Sequence, residues 1–170
     1  MKPVHIVRIT LYLMAGAIGV ILWQMVSEQK KGLSEIEQLT EIKALTIYGD
    51  SFSSTEVLRP EKRTALLFFH PECDYCRKEL EGIIAHHQEC RNIQWLFLTL
   101  ASEDKVQEFL LEYPLDNIAD AYVLRENWPD IYARYRVKGP PDLFIYDEGG
   151  KLIKHHKGAT SIKTIVKALQ

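Results

Sequence analysis

Residues 64–69, TALLFF, leave the chain the least freedom. An apolar run of strand length that does not alternate with polar positions is expected of a strand covered on both faces, so the chain must supply a layer above it and a layer below. A second such run, IQWLFLTL, spans Ile93 to Leu100. Between the two, a helical stretch is expected from about Cys73 to about Glu89. Beyond them, a helix is expected over Ser102 to Glu112, where Ser102, Glu103 and Asp104 offer a cap and an acidic first turn, and another over Trp128 to Tyr135. Strand, helix, strand, helix implies a parallel core. DLFIYD (Asp142 to Asp147) and KLIKH (Lys151 to His155) flank Glu148-Gly149-Gly150, a hairpin signal, and Ser161 to Leu169 closes the chain as an amphipathic helix. The expected architecture is an α/β sandwich with an antiparallel edge.

The residues with reactive side chains lie where the first apolar run ends: Phe69-His70-Pro71-Glu72-Cys73-Asp74-Tyr75-Cys76. A cysteine at the start of a helix meets unpaired backbone N–H groups and the positive end of the helix dipole, which stabilise a thiolate. Cys73 is therefore the expected nucleophile. Cys76, one turn on and on the same face, can attack a mixed disulfide formed at Cys73 and is the expected resolving thiol. Half of a zinc site has the same spacing. It needs two further ligands, and only Cys90 and six scattered histidines remain, with no second Cys-x-x-Cys and no His-x-x-x-His. His70 reads as a polar cap near the site, His86-His87 and His155-His156 as surface pairs, and Cys90 as a packed small hydrophobe.

The first 26 residues differ from the rest. Ile9 to Val26 runs 18 residues without a formal charge, about 27 Å as a helix and close to the hydrocarbon thickness of a bilayer. Tyr12 and Trp23 stand near its ends, where amphipathic rings prefer the interface. Ala15-Gly16-Ala17, the small-x-small triplet, lies mid-run where a signal peptidase could not use it, so residues 1–26 read as an uncleaved anchor. Leu33, Ile36, Leu39 and Ile42 recur every three residues amid Glu and Lys, and residues 27–44 are expected to form an amphipathic stalk, with the folded domain at 45–170. Net charge is −2 with both signs interspersed, which gives no footprint for nucleic acid.

TALLFF before CDYC, the continuation Arg77-Lys78-Glu79, and Val137-Lys138-Gly139-Pro140-Pro141-Asp142-Leu143-Phe144-Ile145 resemble the thioredoxin superfamily, specifically its membrane-tethered, TlpA-like branch of disulfide reductases. The resemblance covers about Leu45 to Gln170. It implies a thioredoxin-like fold, a mixed sheet flanked by helices, behind an N-terminal transmembrane helix. It also implies a redox-active Cys73–Cys76 disulfide with no other cofactor. By the same resemblance Pro141, preceded by Pro140, stands at the family's cis-proline, which offers backbone groups to an incoming peptide. Glu79 matches the glutamate that handles the resolving thiol's proton. The implied protein is a single-pass inner-membrane protein with its C-terminal domain on the periplasmic side, acting on thiols or disulfides of exported proteins and served by a membrane or periplasmic electron donor.

Several positions depart from the family pattern. Glu72 replaces the usual tryptophan, Asp74 and Tyr75 stand where a proline is common, and Leu67 occupies the place of a buried aspartate. Carboxylates at 72 and 74 oppose negative charge on Cys73, which points to a reductase rather than a strong oxidant. The alternative on the same fold is a Sco-like copper-binding metallochaperone, for which His155 or His156 would supply a third ligand beside the cysteines. A peroxidase lacks its Pro-x-x-x-Thr-x-x-Cys run here.

Overall fold

The computed structural model describes the backbone of residues 3–125 and 130–168, with side chains at 12–27, 36–125 and 131–167. It comprises two compact units, residues 1–35 and 36–170.

The first unit belongs to one helix, α1 (Pro3–Glu37). Its side chains at 12–27 are all exposed, Tyr12 and Trp23 among them. Among the described residues no helix is long and apolar enough to cross a membrane. The apolar run from Ile9 begins outside the described side chains.

The second unit is built on a seven-stranded sheet. Its strands are β1 (Lys43–Thr46), β2 (Ser51–Ser53), β3 (Arg63–Phe68), β4 (Ile93–Thr99), β5 (Ala121–Arg125), β6 (Asp142–Tyr146) and β7 (Leu152–Lys157), in the order β2-β1-β5-β4-β3-β6-β7. β3, β4 and β5 are parallel, and the pairs outside them are antiparallel. Between the strands run α2 (Ser54–Val57), α3 (Asp74–Ala85), α4 (Glu103–Glu112) and α5 (Asp130–Arg134), and α6 (Ile162–Ala168) closes the chain. Trp128, expected to start a helix, lies outside the described residues.

The double burial read from the apolar runs is what the strands show. Ala65 and Leu67 of β3, Trp95 and Phe97 of β4, and Leu143 and Ile145 of β6 pack on one face with Leu80, Ile83, Val106, Phe109 and Ile165 from α3, α4 and α6. The alternate residues Leu66, Phe68, Leu96, Leu98, Phe144 and Tyr146 form a second core on the other face with Ile131 and Tyr135. Each face has its own cover, as a strand apolar at every position requires.

The expected stalk at 27–44 does not end where the spacing suggested. α1 ends at Glu37, and Ile36 and Ile42 are buried in the second core with Leu39 packed against it. Leu39 N–H donates to Gly150 O (2.7 Å), Gln38 bridges to Lys151, and the Tyr146 hydroxyl donates to Ile36 O (3.1 Å). The folded unit thus starts at Ile36 rather than near Leu45. A period of three in apolar residues fits a helix face, but here it serves a segment that leaves its helix and packs along the second core.

Gly150, in the β6–β7 turn, has φ +75°, and a Cβ there would stand 2.8 Å from Gln38 Nε2. The left-handed backbone favours glycine there, while the amide end of Gln38 could swing aside.

Candidate active site

β3 delivers the chain to the carboxyl end of the parallel core. Phe69 N–H donates to Leu98 O, and the turn His70-Pro71-Glu72 leads to Cys73. Cys73 is the N-cap of α3, with extended backbone (φ −94°, ψ 111°), and its Sγ accepts the Cys76 N–H at 3.2 Å. A sulfur thus fills the capping role that serine or aspartate usually takes, and the N–H that caps the helix also stabilises negative charge on Sγ. The Cys73 thiol also donates to Pro140 O at 3.7 Å. The turn is braced by Arg77, whose Nε donates to Pro71 O (2.9 Å).

Cys73 is half-buried and Cys76 wholly buried, both as free thiols. Burial pushes the Cys76 thiol far above its usual range; its contact with Cys73 and the charge on Glu79 add to this, while the His70 backbone N–H opposes it. One turn on, Glu79 is 4% exposed. Burial raises its carboxyl from 4.5 to about 7, the charge of Asp142 adds to the rise, and a hydrogen bond from Thr160 N–H to Oε2 (3.3 Å) opposes it. Among the described residues its Oε1 meets no hydrogen-bond partner. A buried carboxyl near neutrality, one helical turn beyond a thiol that resists ionisation, can take up a proton at the pH where exchange runs.

The Pro140–Pro141 peptide is cis, as expected from the Gly-Pro-Pro run. Pro141 O accepts Gly158 N–H (2.9 Å), so the loop between β7 and α6 is tied to the proline and, through Thr160, to Glu79. The structure thus brings all five expected site residues, Cys73, Cys76, Glu79, Pro140 and Pro141, to one end of the sheet.

Other expectations change. Glu72 does not face Cys73 as a lone carboxylate. Its Oε1 is 2.6 Å from Lys105 Nζ, and this hydrogen bond and charge hold the Glu72 carboxyl below its ordinary value. His70 Nδ1 accepts Glu72 N–H (3.2 Å), as a turn cap. The helix expected to reach Glu89 stops at Ala85, because His86 N–H is shared between Gly82 O and Ile83 O, and a 3₁₀ turn, His87–Cys90, follows. Cys90 is buried against the core of the α3 face, and burial raises its thiol. His155 is not a surface residue. Its Nε2 lies 2.6 Å from Asp142 Oδ1, and its ring stacks on Phe144 with centroids 3.9 Å apart, on the sheet face away from Cys76. Among the described residues no group of three or more His, Cys, Asp or Glu is placed to hold a metal ion together.

Sequence reasoning missed Lys105, Thr160 and the Asp142–His155 pair. Only the last left a signal, since an acidic residue opening an otherwise apolar strand needs a partner when buried.

Residues 54–170 match the family model described as a thioredoxin-like domain. Among solved structures, a secreted Mycobacterium tuberculosis disulfide oxidoreductase homologous to E. coli DsbE is 19% identical, with TM-score 0.64 over 80% of this chain and 96% of that one. StoA from Bacillus subtilis is 16% identical, with TM-score 0.60 over 77% and 97%. A thioredoxin-family thiol:disulfide interchange protein from Chlorobium tepidum is 18% identical, with TM-score 0.64 over 78% and 92%. At these identities the likeness is one of fold. A search of curated protein sequences finds no match.

Proposed function

Because this chain belongs to the thioredoxin-like domain family, we propose that it is a thiol:disulfide oxidoreductase that reduces protein disulfides through Cys73 and Cys76. One observation carries the reading: an accessible cysteine capping a helix, a buried one a turn behind it, and a buried carboxyl near neutrality behind that.

In the step we assign, Cys73 thiolate attacks a substrate disulfide, an S–S bond forms at Cys73, and the first substrate sulfur leaves as thiolate. Cys76 then gives its proton to Glu79 and attacks Cys73 Sγ. The second substrate thiolate leaves, and two electrons have passed from the cysteine pair to the substrate as Cys73–Cys76 closes. Pro140 and Pro141 border the sulfur that the substrate must reach and are the proposed peptide contacts. A thiol donor must then reopen the disulfide.

We further place the domain outside the cytoplasm, held by residues 1–26 in the inner membrane. The uncharged run from Ile9 to Val26, the exposed side chains at 12–27, and the secreted Mycobacterium tuberculosis protein of the same fold support this reading. Fractionation tests it: release by osmotic shock without detergent would sink the anchor. The redox assignment is tested by a Cys76→Ser variant, which should accumulate mixed disulfides with exported proteins that dithiothreitol releases. Absence of any Cys73-linked adduct would refute it.

A further inference from the structure

Two prolines in succession, Pro140 and Pro141, border the reactive sulfur, and proline has no backbone N–H. At this point the loop can accept hydrogen bonds but cannot donate them. Of its two carbonyls, Pro141 O is already taken by Gly158 N–H at 2.9 Å, and Pro141 is itself buried. Pro140 is half-buried, and its O lies 3.7 Å from Cys73 Sγ, where it receives the thiol proton. The N–H groups on either side do not fill the gap. Gly139 stands on the far side of Pro140, and Asp142 lies within the sheet, paired with Phe68 of β3 and Lys157 of β7. An extended peptide beside a strand normally gains affinity by both giving and receiving backbone bonds. Next to Cys73 only half of that exchange is available.

We infer that the site recognises its substrate through a single acceptor: Pro140 O receives a backbone N–H next to the substrate's reacting sulfur, and the loop returns no N–H to it. This rests on Cys73 being the thiol that attacks the substrate. The substrate class that follows is a disulfide in a short or unpaired segment with a free N–H beside the sulfur, not one that must be docked as a full strand. In the reduced protein Pro140 O holds the Cys73 thiol proton. Once Cys73 has lost that proton to solvent, the oxygen faces a thiolate with no donor between them, and the substrate N–H takes the vacant place. An S–S bond then forms at Cys73, and the first substrate sulfur leaves with the electron pair of the broken S–S bond. The N–H holds the linked half of the substrate over Cys73 until Cys76 attacks Cys73 Sγ and displaces it as thiolate.

The probe is the symmetric disulfide of the peptide acetyl-Ala-Cys-Ala-amide, with three further forms, each N-methylated at one of its residues. The reduced full chain in detergent is mixed with excess peptide, and the second-order rate of Cys73–Cys76 closure is followed. Each rate is divided by that of dithiothreitol on the same peptide, which cancels the effect of methylation on the disulfide itself. One methylated form should react about three- to tenfold more slowly than the parent, the range of one lost hydrogen bond. Pro140→Ala returns an N–H while keeping Pro141, and should raise the rate for the parent about threefold or more. If no methylated form lags by more than about twofold while the parent is still reduced, the acceptor is overturned and the Cys73–Cys76 chemistry stands. A rate for Pro140→Ala no faster than wild type overturns the missing donor. Failure of the wild type to reduce any peptide that dithiothreitol reduces refutes the oxidoreductase reading, and this one with it.

Discussion

Replacing Glu79 by glutamine separates what the residue does for the reaction from what it costs the fold. The substitution keeps the shape and an oxygen to accept Thr160 N–H, but removes the titrating group. Burial raises the wild-type carboxyl from 4.5 to about 7. Below 4.5 the residue is neutral folded and unfolded, and stability carries no penalty. As pH rises through the interval, the unfolded chain releases the proton first, so stability falls until the folded carboxyl ionises near 7. The loss is 1.36 kcal/mol per pH unit over this interval, about 3 kcal/mol. Denaturant unfolding of the reduced chain, wild type and Glu79→Gln, should therefore give curves whose difference grows by about 3 kcal/mol in favour of glutamine between pH 4.5 and 8. Over the same range the second step of disulfide exchange should slow about 10²-fold or more at neutral pH, the usual cost of removing a general base. A pH-independent difference in stability would show that the carboxyl is not held near neutrality, and the assignment of Glu79 as base would lose its footing.

Cys73 should alkylate faster than Cys76 in the reduced protein, since Cys73 is half-buried and Cys76 wholly enclosed; mass mapping after brief iodoacetamide treatment that finds Cys76 modified first would reverse the roles. The redox potential against glutathione should lie below about −200 mV, and a value near −120 mV would identify an oxidant instead. Lys105→Gln should make it more negative, because it unpairs Glu72 beside Cys73, whereas Asp74→Asn should make it less negative. Gly150→Ala should lower stability by about 1–3 kcal/mol, read as a drop in thermal midpoint, since φ is +75°.

The parts of this protein that could be read without coordinates are those where one residue pattern has one physical use. TALLFF and IQWLFLTL could be placed because burial on two faces leaves no polar position. Cys73 and Cys76 could be placed at a helix start, and a cis peptide at Pro141, because the residues that decide these positions are their neighbours in sequence. β1, β2 and β5 were not legible: they are short, and KALT, SFS and AYVLR carry neither clean alternation nor a fully apolar run. Ile36 to Ile42 was misread because spacing alone does not say whether apolar residues face a helix neighbour or a core. Lys105 and Thr160 meet the site from distant segments and carry no local mark.

The two rims of the sheet say something about the company this protein can keep. An outermost strand exposes a row of unpaired N–H and C=O groups, and any extended polypeptide can lie down beside it as one more strand. A reductase of protein disulfides would meet such polypeptides constantly, since partners with broken or wrong cross-links are often incompletely folded. β2, on one rim, is only three residues long. β7, on the other, carries the exposed lysines Lys154 and Lys157. A short rim offers too few bonds to hold a visitor, and a cationic one repels a second copy of itself. The fold can thus offer one sulfur to unfolded chains without offering its edges as a seed for their aggregation.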